Sequence, residues 1–247
     1  MSKNILFANA KIYSKNTPHS NSLLIEDGQI KFLGDLQEAR KNASSQFTEI
    51  DLSGKFILPG LCDFHLHLAY TAEKLDAVDC ETDSLGECLA RVATKAQNTS
   101  ADDWIIGYGW NHNVWQPAQY GTATQLDAIS ANHPVFLHAK SLHAAWVNAM
   151  AMRIAGIDRN TPDPEGGVIM RNEYGEPTGI LLENAASLVF NHLPEPNTEQ
   201  VAQKILRAQT HLHSLGLTAV HDFDRFQSAE ALLLLNDRDQ LQLRVSK

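Results

Sequence analysis

The chain has 247 residues, 43% of them hydrophobic, enough to bury the core of one large barrel-type domain or two smaller ones. Its formal net charge of −9, from 20 basic and 29 acidic side chains, argues against nucleic acid or a polybasic membrane contact, both of which depend on clustered Lys and Arg. No stretch approaches the roughly 18 uninterrupted apolar residues of a membrane span, and MSKNILFANAKIYS lacks the apolar core of a signal peptide, so a cytoplasmic location is expected.

In chain order, Ile5 to Tyr13 reads as the first strand. Ser22 to Glu26 and Gln29 to Leu33 flank Asp27-Gly28, a dipeptide that tolerates the positive φ angles of a tight turn, and this predicts a hairpin. Phe47 to Leu52 supplies another strand, and Ser53-Gly54 turns the chain into FILPGLCDFHLH, so residues 1–58 are expected to form a small β-module. After Pro59-Gly60 strands and helices alternate. Ser84 with Glu87 predicts a capping box, followed at helical spacing by Leu85, Cys88, Leu89, Val92, Ala93 and Ala96. Trp104 to Tyr108 reads as a strand, Thr124 as the cap of a brief helix through Ala128 and Ile129, and Pro134 to Ala139 as a strand.

His143 to Ile154, closed by Gly156, is expected to be helical. Between Thr161 and Glu183 a β-hairpin-like insertion is expected to turn at Glu173 to Gly175. Thr198 opens a longer helix with the stripe Val201, Ile205, Ala208, Leu212 and Leu215, ended by Gly216. Leu217 to His221 is then a strand, Ala229 to Asn236 a helix, and Leu241 to Ser246 the beginning of one more strand. Strands separated by helices favour a parallel sheet of the α/β class. About five strand starts follow residue 58, against the eight that close a (β/α)8 barrel.

The chemistry concentrates in LPGLCDFHLHL, residues 58–68. On an extended strand Asp63, His65 and His67 share one face. Two imidazoles are two of the three protein ligands that a catalytic zinc usually has, and Asp63 is placed to orient one of them through its second ring nitrogen. An isolated H-x-H is a weak signal, equally compatible with partly exposed histidines at a strand end; the position raises it, because functional groups of α/β barrels gather at the carboxyl ends of strands. Cys62, Cys80 and Cys88 form no C-x-x-C pair, in keeping with a reducing compartment. His211 and His213, two apart on a helix, point about 200° from one another and cannot share a ligand. His112, His133, His138 and His192 show no informative spacing.

ILPGLCDFHLHL resembles the first-strand signature of the amidohydrolase superfamily, in which a Pro-Gly pair precedes a metal-binding Asp-x-His-x-His strand. GYGWNHNVW (107–115), PVFLHAKSLHAAWVNAMAM (134–152), GGVIMRNEYGEPTGILLENA (166–185) and GLTAVHDF (216–223) follow in the order of amidohydrolase family 3, in the branch similar to N-substituted formamide deformylase. The resemblance implies an N-terminal β-rich composite (sandwich) module over residues 1–58. After it comes an incomplete (β/α)8 TIM barrel of the metal-dependent hydrolase type, over residues 59–247. It implies His65 and His67 as ligands of a divalent metal, zinc by preference, and Glu183 as a further or bridging ligand. The same resemblance turns His143 and Trp110 toward the substrate, and it is broken locally by Leu142, which stands where a glycine is usual. His221 and Asp222, at the end of a strand, are candidates for substrate contact. Lys140 reads as a solvated surface lysine rather than a carboxylated bridge between two metals.

The activity implied is hydrolysis of a non-peptide carbon–nitrogen bond in a small molecule. The family's usual acid/base, an aspartate on the last barrel strand, and two histidines of later strands have no counterpart here, so the catalytic residue is left unassigned and this polypeptide is expected to be truncated and inactive by itself. Two rival readings stand beside this one: a non-catalytic fold-relative that binds a metal or ligand, and a cyclic amidine deaminase. A half-barrel exposes sheet edges, so a complementary C-terminal half chain or self-association is expected, with no nucleic-acid or membrane partner.

Overall fold

The structure, a computed structural model, describes residues 4–44, 46–224 and 226–247. It divides into two compact units, Met1–Cys62 with Gly216–Ala219, and Asp63–Leu215 with Val220–Lys247.

The first unit carries β1 (Ile5–Ala8), β2 (Lys11–Ile12), β3 (Ser22–Glu26), β4 (Gln29–Gly34), α1 (Leu36–Asn42), β5 (Thr48–Asp51) and β6 (Phe56–Ile57). Its main sheet has the order β4-β3-β1-β5, with β1 antiparallel to β3 and parallel to β5. Asp27 and Gly28 take φ of 51° and 73°, the two left-handed residues that a twisted two-residue hairpin requires. The strand expected over Ile5 to Tyr13 is broken in two at Asn9, where φ is 53°. Helix α1 has no counterpart in the sequence reading. Asp35 caps it by accepting from the Gln37 amide, and a seven-residue helix that buries only Ala39 carries too little periodicity to be recognised.

The second unit continues with β7 (Leu61–Leu66, which starts in the first), α2 (Leu68–Asp76), β8 (Val78–Asp79), α3 (Leu85–Gln97), β9 (Ile105–Trp110), α4 (Ala123–Ser130), β10 (Val135–Ala139), β11 (Ala144–Val147), α5 (Ala149–Ile154), β12 (Gly167–Arg171), β13 (Pro177–Glu183), α6 (Ala186–Phe190), α7 (Thr198–Ser214), β14 (Leu217–Asp222, which also starts in the first), α8 (Phe226–Asp237) and β15 (Arg244–Ser246). Six strands form one sheet, β12-β13-β11-β10-β9-β8, and β15-β14-β7 form another. Within the six-stranded sheet β8, β9 and β10 are mutually parallel and β11, β13 and β12 join antiparallel, so this sheet is mixed where a parallel one was expected.

Alternation along β10 shows how the sheet is buried on both faces. Val135, Leu137 and Ala139 enter a core with Trp110, Trp115, Trp146 and residues of α3 and α4, whereas Phe136 enters a second core with Val147, Met152, Leu181 and Val189. Helix α7 packs against both α2 and α8.

Further expectations need correction. The helix expected over His143 to Ile154 is half strand: AAWV, residues 144–147, is buried at every position and pairs with β10 and β13. A short continuous apolar run has no period to separate strand from helix. Asn148 makes the switch, its Oδ1 accepting from the amides of Ala151 and Val135 (both 3.0 Å) and its Nδ2 donating to the His133 carbonyl (2.8 Å). The segment expected as an insertion does form a hairpin, turning over Asn172–Glu176, yet β13 pairs with β11 and the hairpin widens the main sheet. One cap also shifts: Thr122, reciprocated by Gln125, starts α4 in place of Thr124, whereas α7 opens at Thr198 as expected, capped by Asn197 with Gln200. Ser84 accepts from the Glu87 amide, but the Glu87 carboxylate pairs with Arg91 instead of returning to the cap.

Candidate functional site

Strand β7 holds Asp63 and His65 in extended backbone, and His67 continues the extension (φ −102°, ψ 92°) as the N-cap of α2. The two exposed imidazoles therefore emerge together, their ring centroids 5.6 Å apart. His65 lies flat on Phe223, with centroids 4.3 Å apart and planes 14° from parallel. Asp63 accepts from the backbone amide of His65 at 2.9 Å, which steadies the strand. The carboxylate that reaches an imidazole is Asp224: its Oδ1 lies 3.2 Å from Nδ1 of His67, and its Oδ2 accepts from the Ala69 amide. His221 is turned toward Phe64, edge to face at 5.1 Å.

Asp222 closes the arrangement from beneath. Its side chain is fully buried and accepts from the amides of Leu68 (3.0 Å) and Asp224 (3.1 Å), from the Ser228 hydroxyl (2.7 Å) and from Lys247 Nζ (2.7 Å). Burial pushes its pKa up, but the bonds from Leu68, Lys247, Ser228 and Asp224 outweigh burial and hold it below the ordinary carboxylate value. Lys247 also donates to the Asp224 carbonyl at 2.9 Å. His67 and Asp224 line a cavity of about 460 Å³ together with Tyr70, Glu73, Lys204 and Phe223.

A second cavity, of about 570 Å³, holds Trp110, His112, Tyr120, Lys140, His143 and Glu183. Nδ1 of His143 lies 2.9 Å from Oε2 of Glu183, and the Glu183 amide donates to the His143 carbonyl at 2.9 Å. Leu142 and Glu183 both take left-handed backbone, with φ of 64° and 50°; for non-glycine residues this costs on the order of 1–3 kcal/mol and clusters at functional sites. Leu142 thus adopts the conformation that a glycine would take without strain. Trp110 is 1% exposed and donates its indole N–H to the Leu137 carbonyl at 2.8 Å, so it serves both core and cavity wall. Lys140 is ion-paired with Glu81.

Of the residues expected from sequence, the structure brings His65 and His67 together at the end of β7, with His67 lining the first cavity and Asp222 a buried anchor beneath, and it brings Trp110, His143 and Glu183 together at the second cavity. No group of three or more His, Cys, Asp or Glu arranged to hold a metal ion is found among the described residues. The donor set at the end of β7 nonetheless suits a borderline divalent cation: two exposed imidazoles, one with a ring nitrogen engaged by a carboxylate. A catalytic zinc usually has three protein ligands, and this pair offers two imidazoles. Sequence reasoning missed Asp224, Ser228 and Lys247. Asp224 stands two residues beyond Asp222 in HDFD, a spacing that could have flagged it; Lys247 comes from a distant segment and carries no local signal.

His138 had no informative spacing and proves to be enclosed by rings. It stacks on Tyr108 (4.7 Å, 7°) and meets Phe136 edge to face at 4.7 Å, and burial pushes its pKa down to about 4.

A family model described as "Amidohydrolase family" matches residues 48–247. The chain is 35% identical over 207 residues to YtcJ of Bacillus subtilis (strain 168), a protein named as an amidohydrolase, covering 83% of this chain and 39% of that one. It is 31% identical over 225 residues to N-substituted formamide deformylase of Arthrobacter pascens, covering 88% of this chain and 42% of that one. Among solved structures, an uncharacterised metal-dependent hydrolase from Pyrococcus furiosus superposes with a TM-score of 0.71 at 25% identity, over 98% of this chain and 49% of that one. The chain therefore spans less than half the length of each of these three relatives.

Proposed function

Since the chain belongs to the amidohydrolase family, we propose that it supplies the metal-binding first strand and part of the substrate cavity of a hydrolase that cleaves a non-peptide carbon–nitrogen bond in a small molecule. In this reading residues 59–247 are an incomplete (β/α)8 barrel and residues 1–58 a composite β-module, in the cytoplasm. The observation that carries the proposal is the pair His65 and His67 at the end of β7, 5.6 Å between rings, with His67 backed by Asp224. His65 and His67 would hold a divalent ion, zinc by preference, which when bound supplies Lewis acidity and a water of lowered pKa. Trp110 and His143 would face the substrate. Glu183 would orient that imidazole through Oε2 and would offer its other carboxylate oxygen to a metal. His221 and Asp222 support the histidine strand, His221 through Phe64 and Asp222 through the start of α2.

The remaining ligands and the acid/base are assigned to the portion of the longer relatives that this chain does not span. Phe64 (70% exposed), Phe223 (52%) and Tyr70 (43%) surround the candidate metal strand with uncovered apolar surface. That surface supports assembly with a complementary half chain or a second copy.

The test is elemental analysis of the purified chain beside His65→Ala/His67→Ala, followed by assay of each on N-substituted formamides and simple amides with a complementary C-terminal half supplied. Stoichiometric zinc that the double variant loses is the expected result. Absence of metal from both proteins would defeat the proposal that this chain forms the site. A second reading, metal binding without turnover, predicts zinc retention with no hydrolysis of any substrate even when the complementary half is supplied.

A further inference from the structure

Four groups on three separate segments converge on one carboxylate. Asp222 takes hydrogen bonds from the first amide of α2 (Leu68), from the amide of Asp224, from the Ser228 hydroxyl in α8 and from Lys247 near β15. Lys247 then returns to the Asp224 carbonyl and to Ser228 Oγ, both at 2.9 Å. The backbone of Asp224 is thereby tied at its N–H and its C=O, and its side chain is tied a third time by the Ala69 amide. Its remaining carboxylate oxygen faces Nδ1 of His67 at 3.2 Å. A carboxylate can only accept, so a neutral imidazole meeting it must present Nδ1 as N–H, which leaves the lone pair on Nε2.

We infer that Asp224, held by the Asp222–Ser228–Lys247 brace, is a positioning residue that fixes His67 as the Nδ1–H tautomer and so assigns Nε2 as its ligating nitrogen. The inference rests on the proposed metal role of His67 for its purpose, but not for its geometry. Asp63, the carboxylate nearest in sequence, bonds a backbone amide of the same strand. A chain segment 157 residues from His67 supplies the orienting group instead.

Long-range ¹H–¹⁵N correlation spectra of the full chain in chelator, at about pH 8 where an ordinary histidine is neutral, read the tautomer directly; His67→Gln assigns the signals. The wild type is expected to show Nδ1 protonated. Asp224→Ala should return His67 to the Nε2-protonated form that free histidine prefers, Asp224→Glu should restore the wild-type pattern in part, and Lys247→Met, which leaves His67 and Asp224 in place, should move it partway. In parallel, zinc affinity should fall about 10- to 100-fold in Asp224→Ala. An Nε2–H tautomer in the wild type would overturn the assignment. So would an unchanged ratio in an Asp224→Ala protein whose circular dichroism matches the wild type. A chain that takes up no zinc would remove the metal reading alone, and the tautomer result would still decide the positioning role.

Discussion

Replacement of Asn148 by alanine removes three buried hydrogen bonds at once. The side chain is fully buried, accepts from Ala151 and Val135 at 3.0 Å and donates to His133 at 2.8 Å. Losing the cap of α5 costs about 1 kcal/mol, and leaving the Val135 amide and the His133 carbonyl unpaired adds about 1–3 kcal/mol for each group that water cannot reach. A total of about 3–7 kcal/mol is expected, a shift of about 1–3 M in the urea midpoint. Tryptophan emission is the appropriate probe, because Trp110, Trp115 and Trp146 share one core beside the strands that Asn148 joins. Asn148→Ser, which keeps only the cap acceptor, should recover about 1 kcal/mol. A loss below about 1 kcal/mol in Asn148→Ala would refute the reasoning, since it would mean that water replaces the amide.

Asp222 has a folded pKa below its unfolded value of about 3.9, so its contribution to stability is present above that value and disappears as pH falls through the folded pKa. Asp222→Asn should flatten the acid limb of melting temperature against pH while lowering stability at neutrality. His138 behaves in the opposite way: with a folded pKa of about 4 against 6.5, the unfolded chain gains the proton first. Stability should therefore decline as pH drops from about 6.5 to about 4. His138→Phe, which keeps the stack on Tyr108, should abolish that slope, and an unchanged pH profile would contradict the burial of this ring. At Gly179, φ is +95° and an added Cβ would lie 2.5 Å from the Val147 carbonyl oxygen. Gly179→Ala should cost about 2–4 kcal/mol through backbone strain and overpacking; a thermal melt within error of wild type would count against the β11–β13 pairing.

Much of the fold was legible because its signals are local. Asp27-Gly28, the stripe of α7 and the glycines that end α5 and α7 are set by the turn and helix chemistry of neighbouring residues. What was hidden is decided by tertiary context. The AAWV segment is a strand only because β10 and β13 stand on either side of it. Helix α2 follows the histidine strand with no capping side chain of its own, so nothing in HLHLAYTAEK marks its start. At the candidate site, the side chains with a recognisable spacing, His65 and His67, are adjacent as read. The carboxylate beside an imidazole is Asp224 and not the expected Asp63, because proximity in sequence says little about which carboxylate faces a ring nitrogen. The pairing of His143 with Glu183 joins residues 40 apart through the hairpin β12–β13, and no periodicity links them.

The first turn of α2 has a kinetic consequence. Its leading amides, Leu68 and Ala69, are satisfied by Asp222 and Asp224, 154 and 155 residues away. A nine-residue helix is too short to persist in water by itself, and closing so long a loop precedes any gain from those bonds. The histidine pair should therefore be one of the last features to assemble as the chain folds. Pulsed hydrogen exchange would show the Leu68 amide gaining protection together with the end of β14, after the six-stranded sheet, and early protection at Leu68 would reverse that order.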